Sequence, residues 1–208
     1  MTEFAAFGNP SRFEIAVRWT DDPEPRERRP AHGGWSTGEV RLTVGGHNLT
    51  HNRRGTANQE AAHWYLLPLF EWLAENWVSL LHEERFGWQE NSAAPAAAAV
   101  FLALRRTIDL DDADGQATYV TVQNWWSRHA LRAADASALY PDVSFRRYGD
   151  NIEISWIARQ PVFAPDGFQF ALTPGVAILP IADVARPLWE VLAWAVSTAR
   201  PTTEDDRH

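Results

Sequence analysis

The chain contains no cysteine and no lysine. Without cysteine there are no disulfides, no thiolate-ligated zinc, no iron–sulfur cluster and no thiol nucleophile. All nineteen basic residues are arginines. Forked recognition of carboxylate or phosphate is one reading of that bias, but the arginines are scattered along the chain and fit a GC-leaning codon bias better. No apolar run approaches the roughly 20 residues that cross a bilayer. The opening MTEFAAFGNPSRFE has no basic segment followed by an apolar one, so no signal peptide is expected and the expected location is the cytoplasm. The phosphate-cradling patterns G-x-G-x-x-G and Walker A are absent, as is the G-x-S-x-G elbow of a serine nucleophile.

Tryptophan is abundant instead. Eleven occur in 208 residues, and 45% of the chain is hydrophobic, enough to exclude wholesale disorder. The segments LPLFEWLAENWVSLLHEE (67–84) and QNWWSRHAL (123–131) concentrate this aromatic surface, which must be buried in a core or against a partner. A net charge of −8 argues against direct nucleic-acid binding.

Hydrophobic spacing sets the expected elements. Phe13, Ile15, Val17 and Trp19 alternate with Glu14, Ala16 and Arg18, the pattern of a half-buried strand. DDPEPRERRPAHGG reads as a surface loop, Glu39–Val44 as a strand with Val40, Leu42 and Val44 inward, and Gly45-Gly46 as a hairpin turn into His47–Thr50. HNRRGTANQE reads as a polar loop. Pro68 suits a first helical turn, and Phe70, Leu73, Trp77, Leu80 and Leu81 recur at helical spacing in one long amphipathic helix, ended by Phe86–Asn91. A second helix follows Pro95, then an acidic loop TIDLDDADGQAT, then a shorter third helix over Thr121–Ala134. Val143–Tyr148 and Ile152–Ile157 flank Gly149-Asp150-Asn151 as a β-hairpin. Two short strands around Pro174-Gly175 precede a last helix, capped by Asp183, whose apolar stripe is Leu188, Val191, Leu192 and Ala195. Strands, helices, strands and helix in that order, without βαβ alternation, predict an α+β fold of antiparallel hairpins packed on Trp-rich amphipathic helices. We expect one unit over residues 1–200, or two packed lobes meeting near residue 135, with a disordered tail or linker stub over 201–208.

The candidate chemistry is thin. His82-Glu83-Glu84-Arg85-Phe86 begins like a zinc-peptidase helix, but the second histidine is replaced by Phe86; Glu75 and His82 alone do not make a site. Asp109, Asp111, Asp112 and Asp114 suggest a calcium loop, yet Ala113, Asp114 and Val120 occupy the fifth, sixth and twelfth positions where an oxygen ligand, glycine and glutamate are required. His63 and His129 adjoin tryptophans and read as packed or hydrogen-bonded; His32, His47 and His51 fall in loops. No catalytic residue, cofactor or metal is therefore expected. The preferred binding surface is Trp125, Trp126, Arg128 and His129: successive helical residues lie about 100° apart, so one indole packs inward while the other reaches the rim, and Trp and Arg dominate interface hot spots. The competing reading makes both indoles core.

PLFEWLAENWVSLLHEE and NWWSRHALRAADASALYPDVSFRRYGDNIEISW resemble the N-terminal region of larger bacterial proteins that carry, further on, a metallopeptidase-like domain of the ImmA/IrrE class. The matching positions are Trp72, Leu73, Asn76 and Trp77; Trp126, Arg128, His129, Leu131 and Arg132; Pro141, Asp142 and Phe145; and Trp156. The arginine follows Trp126 by two residues, a slightly shifted spacing. The zinc motif is missing, so the resemblance implies no peptidase activity. It implies an accessory or sensor role in bacterial stress response or phage defence, with another protein or a downstream domain of the same protein as partner. A metal-dependent hydrolase or nuclease, and a small-ligand sensor with a pocket lined by Trp64, Trp77 or Trp126, are the alternatives.

Overall fold

A computed structural model describes residues 3–20, 37–83, 94–105, 112–134, 140–159 and 167–198. The expected loop over residues 21–34, the helix end at Phe86–Asn91 and the tail over 201–208 lie outside them. The fold is α+β, and every strand pairing among the described residues is antiparallel.

The first sheet begins one strand earlier than the periodicity suggests, with β1 (Ala5–Asn9) paired to β2 (Phe13–Trp19). β2 pairs with β3 (Thr37–Val44), whose other edge holds β4 (His47–Asn48) and β7 (Ala62–Tyr65). The polar stretch expected to be a loop instead folds into a hairpin, β5 (Asn52–Arg54) and β6 (Ala57–Gln59), joined by β10 (Phe168–Phe170) in a small second sheet. The two hairpin strands carry no hydrophobic alternation to betray them; the sheet's tertiary partner is β10, which pairs with β5. The third sheet orders β8 (Asp142–Tyr148), β9 (Asn151–Ile157) and β11 (Gly175–Pro180), with β9 central.

The helix expected over 68–84 breaks at Asn76 into α1 (Leu66–Glu75) and α2 (Trp77–His82). The Trp72 carbonyl accepts both the Asn76 amide at 3.0 Å and the Asn76 carboxamide at 2.9 Å, so the side chain folds back on the last turn of α1. α3 is Ala96–Arg105, and α4 runs Ala113–His129, eight residues longer toward its N-terminus than expected. Asp112, placed by the calcium-loop pattern in a turn, is its N-cap and accepts from the Gly115 amide at 3.2 Å. A 3-10 turn, Leu131–Ala134, follows. α5 spans Ile181–Thr198, so Asp183 sits in its first turn.

The inward residues of β2 and β3 (Phe13, Ile15, Val17, Val40, Leu42, Val44), the facing residues of the third sheet (Val143, Phe145, Ile152, Ile154, Trp156), Leu66 to Leu81 of α1 and α2, and Val184, Leu188, Val191 and Ala195 of α5 form one apolar cluster. It draws on both sides of position 135. α5 is fastened to the first sheet by Trp194 stacked on Trp19 at 5.5 Å with Phe70 edge-on to both. Gly8 (φ +99°) lies where a Cβ would meet Pro187 of α5 at 2.8 Å, so glycine both reaches this backbone conformation and lets the helix close on the hairpin.

The opposite face of the third sheet is polar and buried on β8 and β9, while β11 adds the exposed Val176 and Ile178 to it. Arg146 and Glu153, cross-strand neighbours on β8 and β9, pair at 2.5 Å. The second Glu153 oxygen accepts from the Ala96 amide at 2.7 Å, and Ser155 Oγ from the Ala97 amide at 2.9 Å. Helix α3 thus has its unpaired first-turn N–H groups satisfied by side chains of a sheet. Glu153→Ala is expected to cost about 3–5 kcal/mol, the penalty for stranding a buried guanidinium. Glu153→Gln, which keeps an acceptor for Ala96, should cost less; urea unfolding of the two variants measures the difference.

Candidate functional site

The four residues expected to form a binding surface are brought together, but three are turned to internal use. Trp125 is 2% exposed and packs with Val122, Ala96 and Val100 in a second apolar cluster between α3 and α4, which Trp126 covers from a partly buried position. The inward-and-rim division of the two indoles is the one the helical angle requires. His129 is fully buried, its ring stacked on Trp125 with centroids 4.0 Å apart. Its Nδ1–H donates to the Trp125 carbonyl at 2.9 Å, and Nε2 lies 3.7 Å from the Glu83 carboxylate without a hydrogen-bond partner. Arg128 closes on the same carboxylate, with Nη2 2.9 Å from Oε1 and Nε 3.3 Å from Oε2. Trp72 of α1 donates its indole N–H to the Ser127 carbonyl at 2.7 Å, and the Glu83 carbonyl accepts from the Arg147 amide of β8. The segment is therefore a joint tying α4 to α1, α2 and β8.

Burial pushes the His129 pKa down from 6.5 to about 4, against the smaller opposing pull of the Trp125 and Ser79 carbonyls and Glu83. The imidazole is neutral at physiological pH, which suits packing.

The other candidate ligands do not converge. His82 and Glu75 are both exposed, and among the described residues no group of three His, Cys, Asp or Glu side chains is placed to hold a metal ion. No helix among them is long and apolar enough to cross a membrane. A cleft of ligand size, about 650 Å3, lies between the first and second sheets, away from Trp77 and Trp126; Phe4 and Phe168 are its aromatic lining.

Exposed apolar side chains occur on α4 (Tyr119, Val120), at the end of β8 (Tyr148) and on β11 (Val176, Ile178), and α5 carries the largest of them. Trp189 is 63% exposed and Val196 82%. With Ala182, Arg186 and Ala193 they form an outward stripe at alternating spacings of four and three. Trp77, at the start of α2, meets Trp189 edge-on at 6.1 Å, and the adjoining Val78 is 68% exposed. The sequence reading took Leu188, Val191, Leu192 and Ala195 as the apolar side of this helix and passed over Trp189. The available signal was a tryptophan about 100° from the core stripe, where a solvated helix carries polar residues.

His129 generates a pH dependence of stability. Its folded pKa lies below the unfolded value, so the unfolded state binds more protons between pH 6.5 and about 4, and stability falls as pH drops through that window. The loss is on the order of 3 kcal/mol once both states are protonated. Denaturant midpoints between pH 7 and pH 4 should move toward lower denaturant in the parent chain, and His129→Gln should flatten that part of the profile.

No protein-family model matches the chain, and no curated protein sequence matches it. Among solved structures the chain is similar to the crystal structure of CdiI from Burkholderia dolosa, with 14% identity and a TM-score of 0.46, over 91% of this chain and 99% of that one.

Proposed function

We propose that this chain is a non-catalytic protein-interaction domain or subunit, docking another protein, or a downstream domain of its own protein, through the outward face of α5. The observation that carries the reading is Trp189, a large indole held 63% exposed on a well-packed helix beside Trp77 and Val78. Completing its burial against a partner is worth roughly 2–4 kcal/mol on area grounds, the range of an interface hot spot. Trp126 contributes at most a secondary contact, and Arg128 is already committed to Glu83.

The resemblance carried by Trp72–Trp77 and Trp126–Arg132 supports a setting beside a peptidase-like catalytic module of the ImmA/IrrE class, in a bacterial stress-response or phage-defence system. The chain's part there is recognition.

The test is binding to the products of neighbouring genes, or to the downstream part of a longer native chain. Trp189→Ser should weaken a specific complex by between about tenfold and a thousandfold while leaving the circular dichroism and melting temperature unchanged. Trp125→Ala should instead destabilise the fold by about 3–5 kcal/mol. A complex that survives Trp189→Ser and Val196→Ser together overturns the assignment of this face.

A further inference from the structure

The outer face of the first sheet, opposite α5, bears the 650 Å3 cleft, a volume within the range of small-molecule sites. One wall is a row across three strands, with Arg18 of β2 opposite Glu39 of β3 and Glu39 opposite His63 of β7. The other is one face of the small sheet: Asn52 and Arg54 share a side of β5, Gln59 lies across from Asn52, and Phe168 across from Arg54. The parity that sends Ile15 and Val17 into the core sends Arg18 outward, so the sheet separates this cleft from the docking face.

The two walls differ in electrostatic completeness. On the first, Arg18 holds Glu39 at 2.6 Å and lies 4.4 Å from the centroid of Phe4, so its charge is answered. On the second, exposed Arg54 has no carboxylate partner among the described residues, and neither does the Glu60 side chain have a cation. Asn52, 2% exposed, gives its Nδ2 hydrogens to the Thr50 and Ala61 carbonyls, which leaves its Oδ1 with no donor. A buried acceptor left unmet is a standing cost of about 1–3 kcal/mol.

We propose that this cleft binds a small zwitterion, a free amino acid or a whole di- or tripeptide with both ends free. Its carboxylate is taken by Arg54 and its ammonium by Glu60. The ligand's side chain rests toward Phe168. Each simpler class leaves something unanswered. An anion alone faces Glu60, a cation alone faces Arg54, and an apolar ligand would desolvate both charges without replacing their water. The bidentate geometry of guanidinium and carboxylate makes Arg54 the stronger anchor.

Calorimetry on the intact chain tests this with four sets of probes: individual free L-amino acids, tripeptides with free ends, inorganic phosphate, and methylamine. Saturable binding of a free amino acid or a tripeptide is expected. Whichever of the two binds more tightly identifies the source. Arg54→Gln and Glu60→Gln, both at exposed positions, should each weaken it by at least about tenfold, and Trp189→Ser should leave it unchanged. Amide chemical shifts should move at Arg54 and His63. The proposal is overturned if no zwitterion binds at about 10 mM, if phosphate or methylamine binds as tightly, or if Arg54→Gln has no effect. A negative outcome leaves the α5 docking reading standing, because that face is read out by Trp189 alone.

Discussion

The layering of this protein turns on one buried anion. Glu153 lies between the third sheet and α3, pairing with Arg146 across the strands and accepting the first amide of the helix. A carboxylate out of water is tolerated only when its charge is matched and its lone pairs are used. Here the guanidinium supplies the charge and the helix N-terminus supplies both a donor and a favourable dipole. The sheet can therefore be covered on two sides, by a shared apolar core on one and by a helix anchored through polar groups on the other. The pair formed by α3 and α4, with Trp125 and His129 between the layers, rests on that attachment.

The same economy of burial separates structural from exposed tryptophans. Trp19, Trp72, Trp125, Trp156 and Trp194 each reach a hydrogen-bond acceptor, an aromatic neighbour or an apolar cluster. These indoles act as packing material, and their abundance alone says nothing about recognition. Trp189 differs because its ring lies on the far side of α5 from the core, with the edge of Trp77 against it. Its exposure is imposed by helical angle, since Leu188 and Val191 must face inward and Trp189 is rotated about 100° from the one and about 160° from the other.

The outward face of α5 and the polar cleft lie on opposite sides of the first sheet, so they share a scaffold without sharing residues. Both depend on the strand parity of β2 and β3: one set of side chains meets α5, and the alternate set builds the row from Arg18 to His63. A slip of one residue in the β2–β3 register would exchange the two sets and abolish the core together with both surfaces.

The α+β class, the strand β2, the inward set Val40, Leu42 and Val44, the 142–157 hairpin and the apolar stripe of α5 were legible in the sequence, because each is a local periodicity written into consecutive residues. The β5–β6 hairpin was not, since its strands are polar and the strand that extends it into a sheet, Phe168–Phe170, is more than a hundred residues away. Nor was the break at Asn76, where the backbone leaves helical geometry for one residue, or the early start of α4, where Asp112 acts as a cap. The candidate residues Trp125, Trp126, Arg128 and His129 were recognisable as a constellation, but sequence alone left open whether they faced water. Tertiary structure decided that, because Glu83 and Trp72, which claim Arg128 and the Ser127 carbonyl, are distant in sequence and close only in the fold. Periodicity specifies which side chains share a face; what that face meets is a property of the whole chain.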